Sequence, residues 1–166
     1  MGKAKGKNKE QGEKTNVMRM LEAEGVPYVC HFYEHGDEAV DGLSVAKQIG
    51  QKPEQVFKPR VTRGGNGFFV FVIPVGMELD LKAAARAAGV KSIEMLHVNE
   101  LLKTTGYIRG GCSPLGMKKL FPTFFHESCL SFETILVSGG KIGTQVELSP
   151  AALLQLTGGK TAPVAV

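Results

Sequence analysis

At 166 residues and 17.8 kDa, with 43% hydrophobic residues, the chain is one domain's worth of sequence, able to bury about two-thirds of the surface its unfolded form exposes. Its three cysteines are an odd number with no C-x-x-C spacing, which argues against a disulfide framework or a zinc knuckle, and no apolar run approaches the ~20 residues of a membrane span. The net charge of +4 and pI near 9.0 point to a polyanionic partner, but residues 1–14 hold five lysines against two glutamates and so carry +3 of it, leaving the body nearly neutral.

Residues 1–14 are rich in Lys and Gly and lack the apolar surface that offsets ordering entropy, so a flexible tail is expected. Such a tail either adds salt-sensitive attraction to RNA phosphates or serves only as a solubilising leader. No signal peptide is read ahead of the domain, and the longest apolar candidate, Phe68 to Met77, is interrupted by Pro74 and Gly76. A soluble, cytoplasmic protein is the expectation.

In chain order, Thr15 or Asn16 can cap a helix with Val17, Met20 and Leu21 on one face, ended by Gly25-Val26-Pro27. A strand is expected at Val29 to Tyr33, which takes His31 and His35 off a shared helical face and disfavours a metal pair. Ser44 opens a short helix through Ile49. Pro53 begins a turn into a strand around Val56 to Thr62, Gly64 to Gly67 is a hairpin signal, and Phe68 to Ile73 reads as a buried strand. Asp80 caps an alanine-rich helix stopped by Gly89, Ile93 to Met95 is a strand, and Asn99 caps a helix ending near Thr104. Strands follow at Phe121 to His126, Thr134 to Val137 and Val146 to Leu148. Pro150 starts a last helix to Leu156, and residues 158–166 read as a loose end. The pattern predicts a single α/β domain over residues 15–157, with a curved mixed sheet and peripheral helices.

The segment from Thr105 to Gly116 is the most distinctive, because four glycines and Pro114 surround Arg109, Cys112 and Ser113. Glycine lets main-chain N–H groups approach a ligand, so Gly110 and Gly111 are candidates for an oxyanion or carboxylate cradle; a corner that needs glycine for its geometry is the competing reading. The spacing fits neither the dinucleotide fingerprint nor the phosphate loop. Lys58, between Phe57 and Pro59 in an apolar strand, is the best charged candidate: it could hold a phosphate or sugar, poise a proton, or be an ordinary solvated lysine. Cys112 and Ser113 are tempting nucleophiles, yet no His–Asp relay is recognisable to activate either.

Several ordered runs then bear on the choice: Tyr33-Glu34-His35, Gln55-Val56-Phe57-Lys58, Leu79-Asp80-Leu81-Lys82, Thr105-Gly106-Tyr107, Gly110-Gly111-Cys112-Ser113-Pro114-Leu115-Gly116, Leu120-Phe121-Pro122-Thr123 and Val137 to Gly143. From about Thr15 to Leu156 the chain resembles the bacterial YbaK family of Cys-tRNA(Pro) deacylases, relatives of the editing domain of prolyl-tRNA synthetases. The resemblance implies a distorted, barrel-like mixed sheet. It also implies a trans-acting editing enzyme that needs tRNA, with prolyl-tRNA synthetase a candidate recruiting partner, and no metal or cofactor. On matching motifs, Lys58 corresponds to the family's essential lysine and Tyr33 to its functional tyrosine, lining the acyl pocket. Gly110, Gly111, Ser113 and Pro114 correspond to its glycine segment, the glycines stabilising an oxyanion and Ser113 and Pro114 contacting substrate.

In that family the substrate's own cysteine thiol is understood to attack its ester carbonyl, releasing tRNA and a thiolactone. Well-oriented intramolecular attack reaches effective molarities of ~10⁵–10⁸ M and spares amino acids without a thiol. Two departures mark this chain: Pro59-Arg60 follows the lysine where the best-known relatives have Thr-Leu, and Cys112 replaces an aliphatic residue. Gln145 stands where some relatives carry an acidic residue, and no role is assigned to it. Clearance of another small residue such as alanine by water attack, or a non-catalytic module binding an amino acid, nucleotide or RNA end, are the rival readings.

Overall fold

The computed structural model describes residues 13–166. Its elements are α1 (Asn16–Ala23), β1 (Val29–Phe32), α2 (Gly42–Gln48), β2 (Phe57–Gly64), β3 (Gly67–Pro74), α3 (Leu81–Ala88), β4 (Glu94–Met95), α4 (Val98–Thr105), β5 (Thr123–His126), β6 (Ile135–Ser138), β7 (Thr144–Leu148), α5 (Pro150–Thr157) and β8 (Lys160–Ala162), with 3₁₀ turns at Pro53–Gln55 and Glu127–Ser131. Most of the expected tail lies outside the described residues. At its end, Lys14 already pairs with Glu22 of α1 at 2.7 Å.

Local chemistry sets most boundaries. Thr15 Oγ1 accepts from the Met18 amide, Asp80 from Ala83 and Ser149 from Ala152, side-chain caps worth about 1 kcal/mol each. Two expected starts move. α2 is capped by Asp41, whose carboxylate accepts both the amide and the hydroxyl of Ser44, so Ser44 sits inside the first turn. α4 begins at Val98 rather than after Asn99, and His97 at its N-cap makes no side-chain bond. There the Leu96 amide bonds the Val61 carbonyl at 3.0 Å, so pairing with β2 overrides the local preference of asparagine for a cap.

An α/β fold with mixed sheet pairing and peripheral helices results, and it holds two sheets rather than one. The larger has strand order β4-β2-β3-β5-β8 and the smaller β1-β7-β6. β2 and β3 form an antiparallel hairpin registered from Phe57–Pro74 to Gly64–Gly67, while β5 runs parallel to both β3 and β8. Among the described residues one parallel bridge, Val56 to Leu136, joins the sheets, whose outer strands are β4 and β8 in one and β1 and β6 in the other. A core drawn from both sheets and from α1 and α5 includes Val17, Leu21, Phe57, Phe125, Leu148 and Leu153. Burying each such side chain contributes roughly 1.5–3 kcal/mol.

Residues 158–166 are not a loose end. β8 pairs with β5, Val164 is fully buried, and Val166 exchanges backbone hydrogen bonds of 2.9 Å with Glu78. The amides of Val164 and Ala165 both donate to His126 Nδ1 at 3.2 Å. Gly158-Gly159 and Pro163 conceal this locally, because the stabilisation comes from a strand and a histidine more than 30 residues away. No helix among the described residues is long and apolar enough to cross a membrane.

Candidate functional site

β4 covers the outer edge of β2 only at Thr62 and Arg63, so the strand is open beside Pro59. Proline, with no N–H to donate, belongs on such an edge. Here a cleft of about 550 Å³ opens, lined by β2, the loop before α2, the start of α4, the glycine segment and the inner ends of β6 and β7. Strand alternation puts Lys58 and Arg60 on one face, and both line the cleft together with Arg109 from the glycine segment.

Lys58 is half-buried and donates a long bond, 3.4 Å, to the Val75 carbonyl. Burial, then the neighbouring Arg60, hold its ammonium below the ordinary lysine value, while Glu78 and Asp41 pull the other way. Burial, then the charge of Arg109, likewise lower Arg60. This wall therefore carries cations in a partly desolvated place, where an anion would be welcome.

Tyr33 leaves the end of β1, is 8% exposed and lines the cleft. Burial raises the pKa of its hydroxyl, so it stays a neutral hydrogen-bonding group. Gln145 of β7 is 7% exposed and faces the same space, and its carboxamide oxygen has no hydrogen-bond partner among the described residues.

The glycine segment divides. The Gly111 amide donates to the Ile108 carbonyl at 3.0 Å, closing a turn in which Gly110 has φ +89°, the position a type II turn reserves for glycine. Gly110 lines the cleft. Gly111 is buried outside it, its amide committed to the turn, and a Cβ there would lie 3.0 Å from Lys141 Cα. The expected oxyanion role for Gly111 therefore has no donor to stand on. Ser113 and Pro114 are also buried and not part of the lining: Ser113 Oγ accepts from the Leu115 amide at 3.2 Å, and the Tyr107 hydroxyl donates to the Leu115 carbonyl. Ser113 thus braces the loop, and neither it nor Pro114 is among the residues that line the cleft.

Cys112 does reach the cleft, but burial pushes its thiol up to about 12. At neutral pH it is protonated and a poor nucleophile. Among the described residues no group of three or more His, Cys, Asp or Glu gathers to hold a metal. Three polar or charged lining residues carry no role from the sequence: Arg60, Arg109 and Gln145. The i, i+2 spacing of Lys58 and Arg60 was the available signal for the first; Gln145 and Arg109 join only through packing of β7 and the glycine turn against β2.

Comparison with known proteins fits this geometry. A protein of Enterococcus faecalis provisionally named Cys-tRNA(Pro)/Cys-tRNA(Cys) deacylase EbsC is 47% identical over 157 residues, covering 94% of this chain and 96% of that protein. A crystal structure described as that of a proposed trans-editing enzyme for prolyl tRNA synthetase shares the fold with a TM-score of 0.78 at 24% identity, covering 93% of this chain and 99% of that one. The hypothetical protein APE2540 shares it with a TM-score of 0.82 at 22% identity, covering 92% and 100%. The aminoacyl-tRNA editing domain matches residues 38–156, most of the chain and nearly all of the cleft lining. The chain belongs to the aminoacyl-tRNA editing domain, or YbaK, family.

Proposed function

We propose that this protein is a trans-acting deacylase that clears mischarged Cys-tRNA(Pro), with the substrate supplying the nucleophile. The observation that carries this is a cleft that pairs a cationic wall with no activated protein nucleophile: Lys58, Arg60 and Arg109 line it, and its one thiol, Cys112, is held protonated by burial. In the reaction, the substrate's cysteine sulfur attacks its own ester carbonyl. The C–S bond forms, the C–O bond to the terminal ribose breaks, the thiol proton ends on the ribose oxygen, and the strained thiolactone is then opened by water to free cysteine.

Each residue has a task in this reading. Lys58 holds the ribose or phosphate end of the terminal adenosine, or passes the proton to the leaving oxygen. Tyr33 shapes the acyl pocket and offers a neutral hydroxyl. Gly110 lets backbone approach the ester, where a preorganised donor is worth ~2.7–4 kcal/mol. The name of the Enterococcus faecalis relative supports cysteinyl-tRNA as substrate. Because the body is nearly neutral, tRNA identity is left largely to a recruiting partner, for which prolyl-tRNA synthetase is the candidate.

The test compares deacylation of Cys-tRNA(Pro) and Ala-tRNA(Pro) by the purified protein. Rapid loss of cysteine with alanine spared is the expected result. Equal clearance of both points to water attack on small residues, and no clearance of either points to a binding module.

A further inference from the structure

Arg60 is a half-buried cation lining the cleft, and its surroundings offset its charge only in part. Its guanidinium lies close enough to Arg109 for the two charges to repel, and feels an opposing attraction from Glu78, yet it makes no ion pair with a carboxylate within 4.0 Å among the described residues. The Lys14–Glu22 and Arg63–Glu100 ion pairs both lie away from the lining. A guanidinium in such a place needs an anion to offset lost hydration, and its planar fork suits phosphate oxygens better than a lysine does. Lys58, two residues earlier on the same face, is already turned toward the Val75 carbonyl.

We infer that Arg60 and Arg109 together form an anion site at the cleft that takes a backbone phosphodiester of the RNA substrate's single-stranded 3′ end, in addition to whatever Lys58 holds. The inference deepens the deacylase reading and rests on it for the identity of the RNA. The two arginines come from separate elements of the lining: Arg60 from the hairpin strand β2, Arg109 from the exposed tip of the Ile108–Gly111 turn. A phosphodiester between them relieves their mutual repulsion and fixes how far the terminal nucleotide reaches toward Tyr33 and Gln145.

Two measurements separate this from the parent reading. The first is direct binding of an uncharged RNA oligonucleotide ending in CCA, by fluorescence anisotropy at several salt concentrations, to wild type, Arg60→Gln and Arg109→Gln. Each variant should bind about tenfold more weakly and lose roughly 0.7 from the slope of log K against log salt, the value for one single-strand phosphate contact. Because Arg109 is exposed, its variant folds whatever the fate of the other. The second is turnover of Cys-tRNA against 3′-O-cysteinyl-adenosine, which bears no phosphate. The variants should raise KM on the tRNA, with a loss at least several-fold smaller on the nucleoside ester, and Arg60→Lys should restore only part of it. Unchanged oligonucleotide affinity and salt slope in both variants overturns the anion site, as does an equal loss on both esters. A wild type that binds the oligonucleotide through these arginines but cleaves neither ester overturns the deacylase reading and leaves the anion site standing.

Discussion

Gly110 packs so closely on Ala39 that a Cβ added to the glycine would lie 2.7 Å from the Ala39 Cβ. The contact joins the glycine turn to the loop leading into α2, and so ties two walls of the cleft together. Gly110→Ala faces both this clash and φ +89°, a strain of about 1–3 kcal/mol by itself. Deacylation should fall strongly and thermal stability should drop. Adding Ala39→Gly should recover stability in part, since it relieves the clash and not the dihedral. If Gly110→Ala keeps full activity and melting temperature, the turn does not shape the site.

Lys58→Ala removes a half-buried cation that donates a long 3.4 Å bond to the Val75 carbonyl. Turnover should fall by roughly two orders of magnitude or more, as for loss of a preorganised charged donor, while the melting temperature changes little. Lys58→Arg should not rescue, because the larger planar head cannot occupy the ammonium's position. Circular dichroism melts and single-turnover deacylation on the same preparations check this, and near-normal activity in Lys58→Ala sinks the assignment.

Cys112 and Ser113 should be dispensable to the chemistry for different reasons. The Cys112 thiol, at about 12, resists alkylation at neutral pH, and Cys112→Ala should still clear Cys-tRNA while wild type clears Ser-tRNA slowly. Ser113→Ala leaves the buried Leu115 amide without its acceptor, costing about 1–3 kcal/mol of stability with a milder effect on rate. Rapid Ser-tRNA clearance that disappears in Cys112→Ala, or an acyl-serine trapped at Ser113, would reverse the mechanism.

The C-terminal clasp should be acid-labile. His126 Nδ1 accepts two amides and so must be neutral there, and burial holds its pKa below the ordinary 6.5, with Glu127 opposing. Because the unfolded chain takes up the proton more readily, the contribution is present above about pH 6.5 and is lost as pH falls through the folded value. Wild type should therefore lose more melting temperature between pH 7.5 and 5 than His126→Asn, which keeps an acceptor and cannot titrate. Equal pH slopes for the two proteins would remove His126 from the clasp's acid response.

What the residues determine alone is local. Thr15, Asp80 and Gly89 place helix ends because a side-chain oxygen or a left-handed glycine acts within one turn, and Gly65-Asn66 turns the hairpin because only Gly65 needs a positive φ, +55°. Motif order likewise makes the family legible, and it singles out Lys58 and Tyr33, which the fold brings to one cleft. Tertiary structure decides the remainder, and the reason is distance in sequence. β8 and Val164 are held by β5 and His126, the start of α4 by Val61, and the split into two sheets by pairings that no local window contains. The glycine segment shows both levels at once: its composition marks a special turn, but only the packed structure commits the Gly111 amide to Ile108, buries Ser113 and Pro114, and brings Arg109 to the cleft that Arg60 shares.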